Sequence, residues 1–240
     1  MHGNSMKTEQ DFFSTMRRSL GLPVDVDRTV QDFPDLLPAA DTVSQSSKTD
    51  GEAAADLLDL LQTSCAKHHL TLHIVDDREQ AAALIAEMVK VAELEFHDSR
   101  HVILHDHPLL AGLRLWKRLE DEIVTIHTCA PGDPDTREKH EICCVGITAP
   151  ECVVATHGTI VQQTGDGQPR ATSLLPSHHI AVATMNSVVR GLEEGFRKMR
   201  EMPGSSFVFI SGPSKTADIE AQLVLGAHGP RHMDLILIRT

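Results

Sequence analysis

The chain has no tyrosine and one tryptophan, and aromatic residues fill only 3% of its 240 positions. Cations are also sparse, with 22 Lys and Arg against 34 Asp and Glu, a formal charge of -12 at pH 7. A nucleic-acid surface needs an excess of cations to neutralise phosphates and aromatic faces on which bases stack. No basic stripe with interleaved aromatics runs through the sequence, so nucleic-acid binding is not expected. Long apolar runs are missing too. None approaches the roughly 20 residues that a membrane-spanning helix requires. The opening MHGNSMKTEQ lacks the charged-then-apolar layout of a signal peptide.

Cysteine is present but in the wrong pattern for a disulfide framework or a cluster. Cys65, Cys129, Cys143, Cys144 and Cys152 are odd in number and show no C-x-x-C spacing. This suits reduced thiols in a cytoplasmic protein. The closely spaced cysteines of a ferredoxin-type cluster are absent, so any iron–sulfur chemistry has to come from a partner. The 15 histidines invite a metal reading. The nearest approaches are His105 and His107 in "HDHP" and the pair His68-His69. Neither has helical His-x-x-x-His spacing or Cys/His alternation, and no dedicated metal site is expected.

What is there suits one sizeable core, with 41% hydrophobic and 23% charged residues. Residues 1–51 read as a short amphipathic helix, "DFFSTMRRSLG", and an extended arm rich in Pro, Ser, Thr and Asp, with Phe33, Leu36 and Leu37 available to pin it to a neighbour. Residues 52–240 read as the main domain. Leu57, Leu60 and Leu61 recur at helical spacing. Then "TLHIV", "HVILH" and "EIVTIH" alternate with the helical patterns "DDREQAAALIAEMVKVA" and "PLLAGLRLWKRLE". Short β-rich runs alternating with helices indicate an α/β domain on a mostly parallel sheet. Asp76 or Asp77 is placed to cap the helix that follows. "NSVVRGLEEGFRKMR" reads as a helix with Val188, Val189, Leu192, Phe196 and Met199 on one face. The turn around Gly165-Asp166-Gly167 reads as a β-hairpin or an irregular loop.

The segment "FVFISGPSKTADIEAQLVLG" looks like strand, polar loop and helix, with Ser214 or Thr216 as the cap. Two readings stand. A helix start attracts anions and Lys215 adds charge; against this, Asp218 and Glu220 in the first turn already complement the dipole. The Walker A spacing is absent.

That segment, extended to "SGPSKTADIEAQLVLGAHGP", resembles the signature of the LUD domain family, in its lactate-utilisation protein C type. "VGITAPECVVATHGTIV" and "SLLPSHHIAV" match two further family stretches in order, and the resemblance covers about residues 70–240. It implies a three-layer α/β/α fold of the ribose-5-phosphate isomerase and CoA-transferase-like superfamily. It also implies a part in oxidising L-lactate to pyruvate with two partner proteins, one or both carrying iron–sulfur clusters, and no cofactor in this chain. The family's usual "AETGT" is "ATHGT" here, so Thr156 stands at the acidic position and His157 follows it. Either His157 replaces the acid as a base, or the position is structural.

The family histidine falls on His179, and oxidising lactate needs a base for the hydroxyl proton. His179 and His157 are the candidate catalytic residues; a buried, hydrogen-bonded core role is the competing reading for His179. His178 is expected to face solvent, because strand side chains alternate. Candidate ligand-binding residues for a small carboxylate (L-lactate or pyruvate) are Thr156, Gly158, Thr159, Arg170, Ser173, Ser211, Gly212, Ser214, Lys215, Thr216 and Asp218. Arg170 is equally readable as a solvated turn residue. The pocket is expected at the carboxyl ends of the strands, bordered by 156–159, 165–173, 176–179 and 211–218. A homo-oligomer is compatible with the sequence. The alternatives are a non-catalytic assembly or regulatory subunit, and an enzyme binding a phosphorylated or CoA-linked metabolite.

Overall fold

The computed structural model describes Ser14, Arg18 and residues 50–94, 98–120, 124–202, 206–217, 223–225 and 229–239. The helix and arm expected over 1–51 lie outside these residues, except for Ser14, Arg18 and the start of the first long helix. The periodic leucines form α1 (Asp50–Lys67), which buries Leu61, Ser64 and Cys65 at i, i+3 and i+4. His69, left-handed at φ 58, ends it, and Leu70 N bonds back to Cys65 O at 3.0 Å.

The elements that follow are β1 (Thr71–Val75), α2 (Arg78–Val91), β2 (Arg100–Leu104), α3 (Pro108–Leu113), β3 (Val124–Thr128), α4 (Thr136–Ile142) and β4 (Val145–Thr148). After them come β5 (Cys152–Val154), β6 (Thr159–Gln163), β7 (His178–Thr184), β8 (Val188–Val189), α5 (Leu192–Glu201), β9 (Phe207–Ile210), β10 (Lys215–Ala217), β11 (Leu223–Leu225) and β12 (His232–Ile238). Asp77 caps α2 as expected, its carboxylate accepting from Gln80 N at 2.8 Å.

Six strands form one sheet in the order β1-β12-β7-β4-β2-β3, every neighbour parallel. Parallel sheets are covered on both faces, which is why β7 and β12 read as near-continuous apolar runs. On one face Val102, Leu104, Val145, Ile147, Ile180, Val182, Ile236 and Ile238 pack on α2 and α3. On the other, Ala181, Ala183, Leu235 and Leu237 meet Leu61 and Cys65 of α1 and Val153, Ile160 and Ile210. Those last three belong to a second sheet, β8-β5-β6-β9, in which β6 is antiparallel to both neighbours. The fold is thus the expected α/β class, with one outer layer built partly of strands.

Three local readings change. Val188 and Val189 do not lie on a helix: as a buried β-branched pair they add a parallel strand to Val153 and Val154. The helix starts only after Gly191. The helix expected after residue 214 is absent where the chain is described. Lys215–Ala217 pairs antiparallel with Leu223–Leu225, so the Leu-Val-Leu run finds its backbone partners across a ribbon rather than along a helix. "PLLAGLRLWKRLE" breaks at Arg114, left-handed at φ 49, into α3 and a short 3-10 turn, Leu115–Lys117. The turn at Gly165–Gln168 joins strands of different sheets, which makes it the irregular loop of the two alternatives.

Candidate functional site

Polar side chains enter the space between the two sheets from both sides. His179, on β7, places Nε2 2.8 Å from Thr148 Oγ1 on β4. Gln162, on β6, is wholly buried and its amide lies 3.3 Å from His105 Nε2, just past the end of β2. His105 Nε2 is also 3.3 Å from Pro169 O. A carbonyl only accepts, so that bond assigns the His105 proton to Nε2 and leaves Nδ1 with a free lone pair; Gln162 must then turn its amide oxygen, not its nitrogen, toward Nε2. Three buried positions of this seam, His105 Nδ1, the outer atom of the Gln162 amide and His179 Nδ1, have no hydrogen-bond partner among the described residues. Each such atom costs about 1–3 kcal/mol, so three together mark a place where a small polar group would be stabilised.

A second chain of bonds runs alongside. His140 Nδ1 donates to Thr136 O, so its Nε2 accepts from the Thr172 hydroxyl at 2.9 Å, and Thr172 Oγ1 in turn lies 3.4 Å from Cys129 Sγ. The short turn Arg170–Ser173 reaches the seam because β4 has glycine at 146. A Cβ there would lie 1.9 Å from Thr172 O.

The seam is held neutral. Burial pushes His179 down to about 3, helped by the nearby His105 and His178 and opposed by Asp234. Burial likewise lowers His105 to about 4, against the bond to Pro169 O. Burial raises the Cys129 thiol, and Cys65 and Cys143 rise to about 12 for the same reason. An imidazole this hard to protonate serves as a hydrogen-bond acceptor at neutral pH. It acts as a base only where charge developing beside it raises its affinity for a proton.

Two clefts open beside the seam, at the carboxyl ends of β2 and β3 where α/β sheets bind ligands. One, of about 110 Å³, is lined by His105, Asp106, His107, Leu110, Trp116 and Thr128 among others. His107 Nδ1 accepts from Leu109 N at 3.2 Å, which puts the proton of its neutral form on Nε2. The other, of about 130 Å³, lies between Cys129, Asp133, Thr136 and the loop Gly165–Gly167. Asp106 N donates to Gly167 O at 2.8 Å between them.

The residues singled out from sequence divide into two groups. In the first, Thr159 Oγ1 meets Ser211 Oγ at 2.7 Å, and Ser64 Oγ donates to Thr156 O at 3.1 Å. Gly158 (φ 55) and Gly212 (φ 86) press against α1 and the turn after it: a Cβ would lie 2.9 Å from Cys65 N at the one and 2.0 Å from His68 O at the other. Thr156 and His157 are exposed and bonded to each other at 2.7 Å. The second group is His179 with the turn that carries exposed Arg170 and buried Ser173, whose Oγ donates to Arg170 O at 3.1 Å. The candidate catalytic histidines therefore occupy different settings, one at the surface and one sealed. Ser214 lies beside Gly229. Lys215 and Thr216 belong to β10, and Asp218 lies outside the described residues.

His178 is not the simple solvent-facing neighbour expected. Its Nε2 is 2.6 Å from Asp234 Oδ2, and Asp234 Oδ1 is 2.7 Å from His73 Nε2. Sequence reading missed Thr148, Gln162, His140 and Thr172. The available signals were a glutamine inside the β-branched run "TIVQQ" and a histidine closing an apolar strand in "HVILHDH". Among the described residues, no group of three or more His, Cys, Asp or Glu is arranged to hold a metal ion. No helix there is long and apolar enough to cross a membrane.

The family model of the LUD domain matches residues 58–238. The chain belongs to the LUD domain family. This LUD domain is 33% identical over 182 residues to lactate utilization protein C of Halalkalibacterium halodurans, covering 72% of this chain and 75% of that one. Lactate utilization protein C of Shouchella clausii is 26% identical over 230 residues, with 94% and 95% covered. The Bacillus subtilis protein of that name is 29% identical over 210 residues, with 81% and 83% covered. Among solved structures, a DUF162 family protein from Deinococcus radiodurans superposes with a TM-score of 0.53 at 20% identity, over 77% of this chain and 98% of that one. That likeness concerns the fold.

Proposed function

We propose that this LUD domain chain is a subunit of a cytoplasmic lactate-utilisation system that oxidises L-lactate to pyruvate with two partner proteins. The observation that carries the reading is its similarity, nearly end to end, to relatives named lactate utilization protein C. Converting lactate to pyruvate releases two electrons and two protons. In this reading the electrons pass to iron–sulfur clusters on the partners, and this chain supplies the carboxylate site and a proton acceptor. His179 and His157 are the candidate acceptors. The neutral Nδ1 of His105, a residue lining a cleft at the carboxyl ends of β2 and β3, joins them on geometric grounds. Arg170, Ser173, Ser211 and Lys215 are the candidate carboxylate contacts.

The burial of His179, which leaves 0% of it exposed, favours a second reading in which the chain is a non-catalytic assembly subunit. One experiment separates the two. The chain is co-expressed with its iron–sulfur partners, the complex is purified anaerobically, and lactate-dependent dye reduction is measured. Turnover that needs this chain, and that falls on His179→Ala while the variant still co-purifies, supports the first reading. Unchanged turnover in His179→Ala and Lys215→Ala complexes supports the second. Equal turnover without the chain defeats both.

A further inference from the structure

Far fewer cations than carboxylates occur in this chain, yet a run of them gathers at one place. Arg78, at the first position of α2, and Arg114, Lys117 and Arg118, in the 3-10 turn and flanking it, line one groove of about 520 Å³ with Glu79. A second groove of about 450 Å³ continues from Lys117 and Arg118 to Lys90 and Glu87. Both carboxylates are already engaged: Glu79 takes Arg118 at 3.0 Å and Glu87 takes Lys90 at 3.1 Å. That leaves Arg78, Arg114 and Lys117 exposed and without an ionic partner among the described residues. Their clustering is built in. Gly112 has no side chain where Arg78 passes, since a Cβ would lie 3.0 Å from Arg78 Nη1, and left-handed Arg114 turns the chain there.

Like charges held together in an acidic protein repel one another unless an anion joins them, and a groove concentrates their field. Guanidinium groups match phosphoryl oxygens with paired donors, and an ammonium adds a point charge. Trp116, next to Lys117 in sequence, does not line this groove; it faces the cleft that holds His105 and His107. We propose that this groove binds a small ligand bearing a pyrophosphate group, held by Arg78, Arg114 and Lys117. The groove is separate from the seam and from the candidate carboxylate contacts, so the assignment stands apart from the lactate reading.

Binding is followed by calorimetry, because the fluorescence of Trp116, the single tryptophan, reports on the neighbouring cleft that it lines. The full-length protein is titrated with inorganic pyrophosphate and, separately, with ADP, at low ionic strength and with sulfate as the control anion. Saturable changes are expected, weakening about tenfold or more in the Arg78→Gln/Arg114→Gln double variant and with added salt. Tighter binding of ADP identifies a nucleotide, and equal or weaker binding identifies an inorganic polyphosphate; both support the assignment. It is overturned if neither ligand binds saturably, if sulfate reproduces the change, or if the double variant titrates like the parent. Binding of polyglutamate but not pyrophosphate also overturns it, in favour of an acidic protein partner.

Discussion

His178 and His179 are consecutive residues on β7, and the sheet sends them into opposite regimes. His178 points to the face where Asp234 sits between it and His73, with the His232 ring edge-on at 5.9 Å. Burial alone would raise the Asp234 carboxyl, but the bonds from His178 and His73 outweigh it and hold the group below its usual range. His179 points the other way, into a seam where Thr148 is its hydrogen-bond partner, and burial keeps its ring neutral. One end of the sheet handles imidazole by supplying a carboxylate; the seam handles it by denying it a proton. The alternation of a single strand is enough to produce both.

The most severe way to break this contrast is to fill the space that lets the turn Arg170–Ser173 reach the seam. Gly146→Val places side-chain atoms where Thr172 O already lies, 1.9 Å from the Cβ position. Overpacking against side chains costs roughly 1–3 kcal/mol, and a backbone oxygen yields less easily, so a loss of about 3 kcal/mol or more in urea unfolding is expected. An unchanged midpoint would mean the turn does not press on β4.

Acid separates the two regimes next. An unfolded histidine binds its proton near 6.5, whereas folded His105 and His179 resist protonation until about 4 and about 3. Between those values the unfolded chain holds more protons, so stability falls as pH falls below 6.5, by about 1.4 kcal/mol per pH unit for each such group. Asp234 behaves differently. Its depressed value contributes stability that is present above about 3.9 and is lost only below it. Urea unfolding between pH 7 and pH 4.5 should therefore show a steep decline that His105→Gln and His179→Gln each flatten and Asp234→Asn does not. Equal slopes in all three variants would remove the distinction between seam and sheet end.

A smaller effect probes the joint between the second sheet and the loop after β9. Thr159→Val removes the 2.7 Å bond to Ser211 while keeping the volume of the side chain. Because Ser211 is exposed and water can take the lost place, a cost of about 1 kcal/mol is expected in the same unfolding assay. A cost near zero would mean the segments 156–159 and 211–212 are held together by the glycine contacts with α1 and its end alone.

Much of the fold could be read from the chain because parallel strands and capped helices leave strong local signals. The Asp77 cap, the leucine spacing of α1 and the apolar runs of β2, β3 and β7 all stand in short windows. The second sheet was not legible, since Val188-Val189 and Val153-Val154 pair across 35 residues of sequence and each run also suits a helix or a loop. The site was legible in part. His179 and the turn before it could be named from resemblance, but His105 and Gln162 become neighbours only when β2 and β6, on different sheets, face each other. No spacing rule joins residues 57 apart in sequence.

The mildest change asks whether the surface histidine matters at all. His157 and Arg170 are both exposed, and side chains in such positions usually alter stability by no more than about 0.5 kcal/mol when truncated. His157→Ala and Arg170→Ala should therefore unfold like the parent. If His157 accepts a proton during turnover, its variant loses lactate-dependent dye reduction in the assembled complex despite that intact fold. If the sealed seam carries the chemistry instead, His157→Ala keeps its activity while His179→Gln loses it, and the contrast between the exposed and the buried imidazole becomes a functional one.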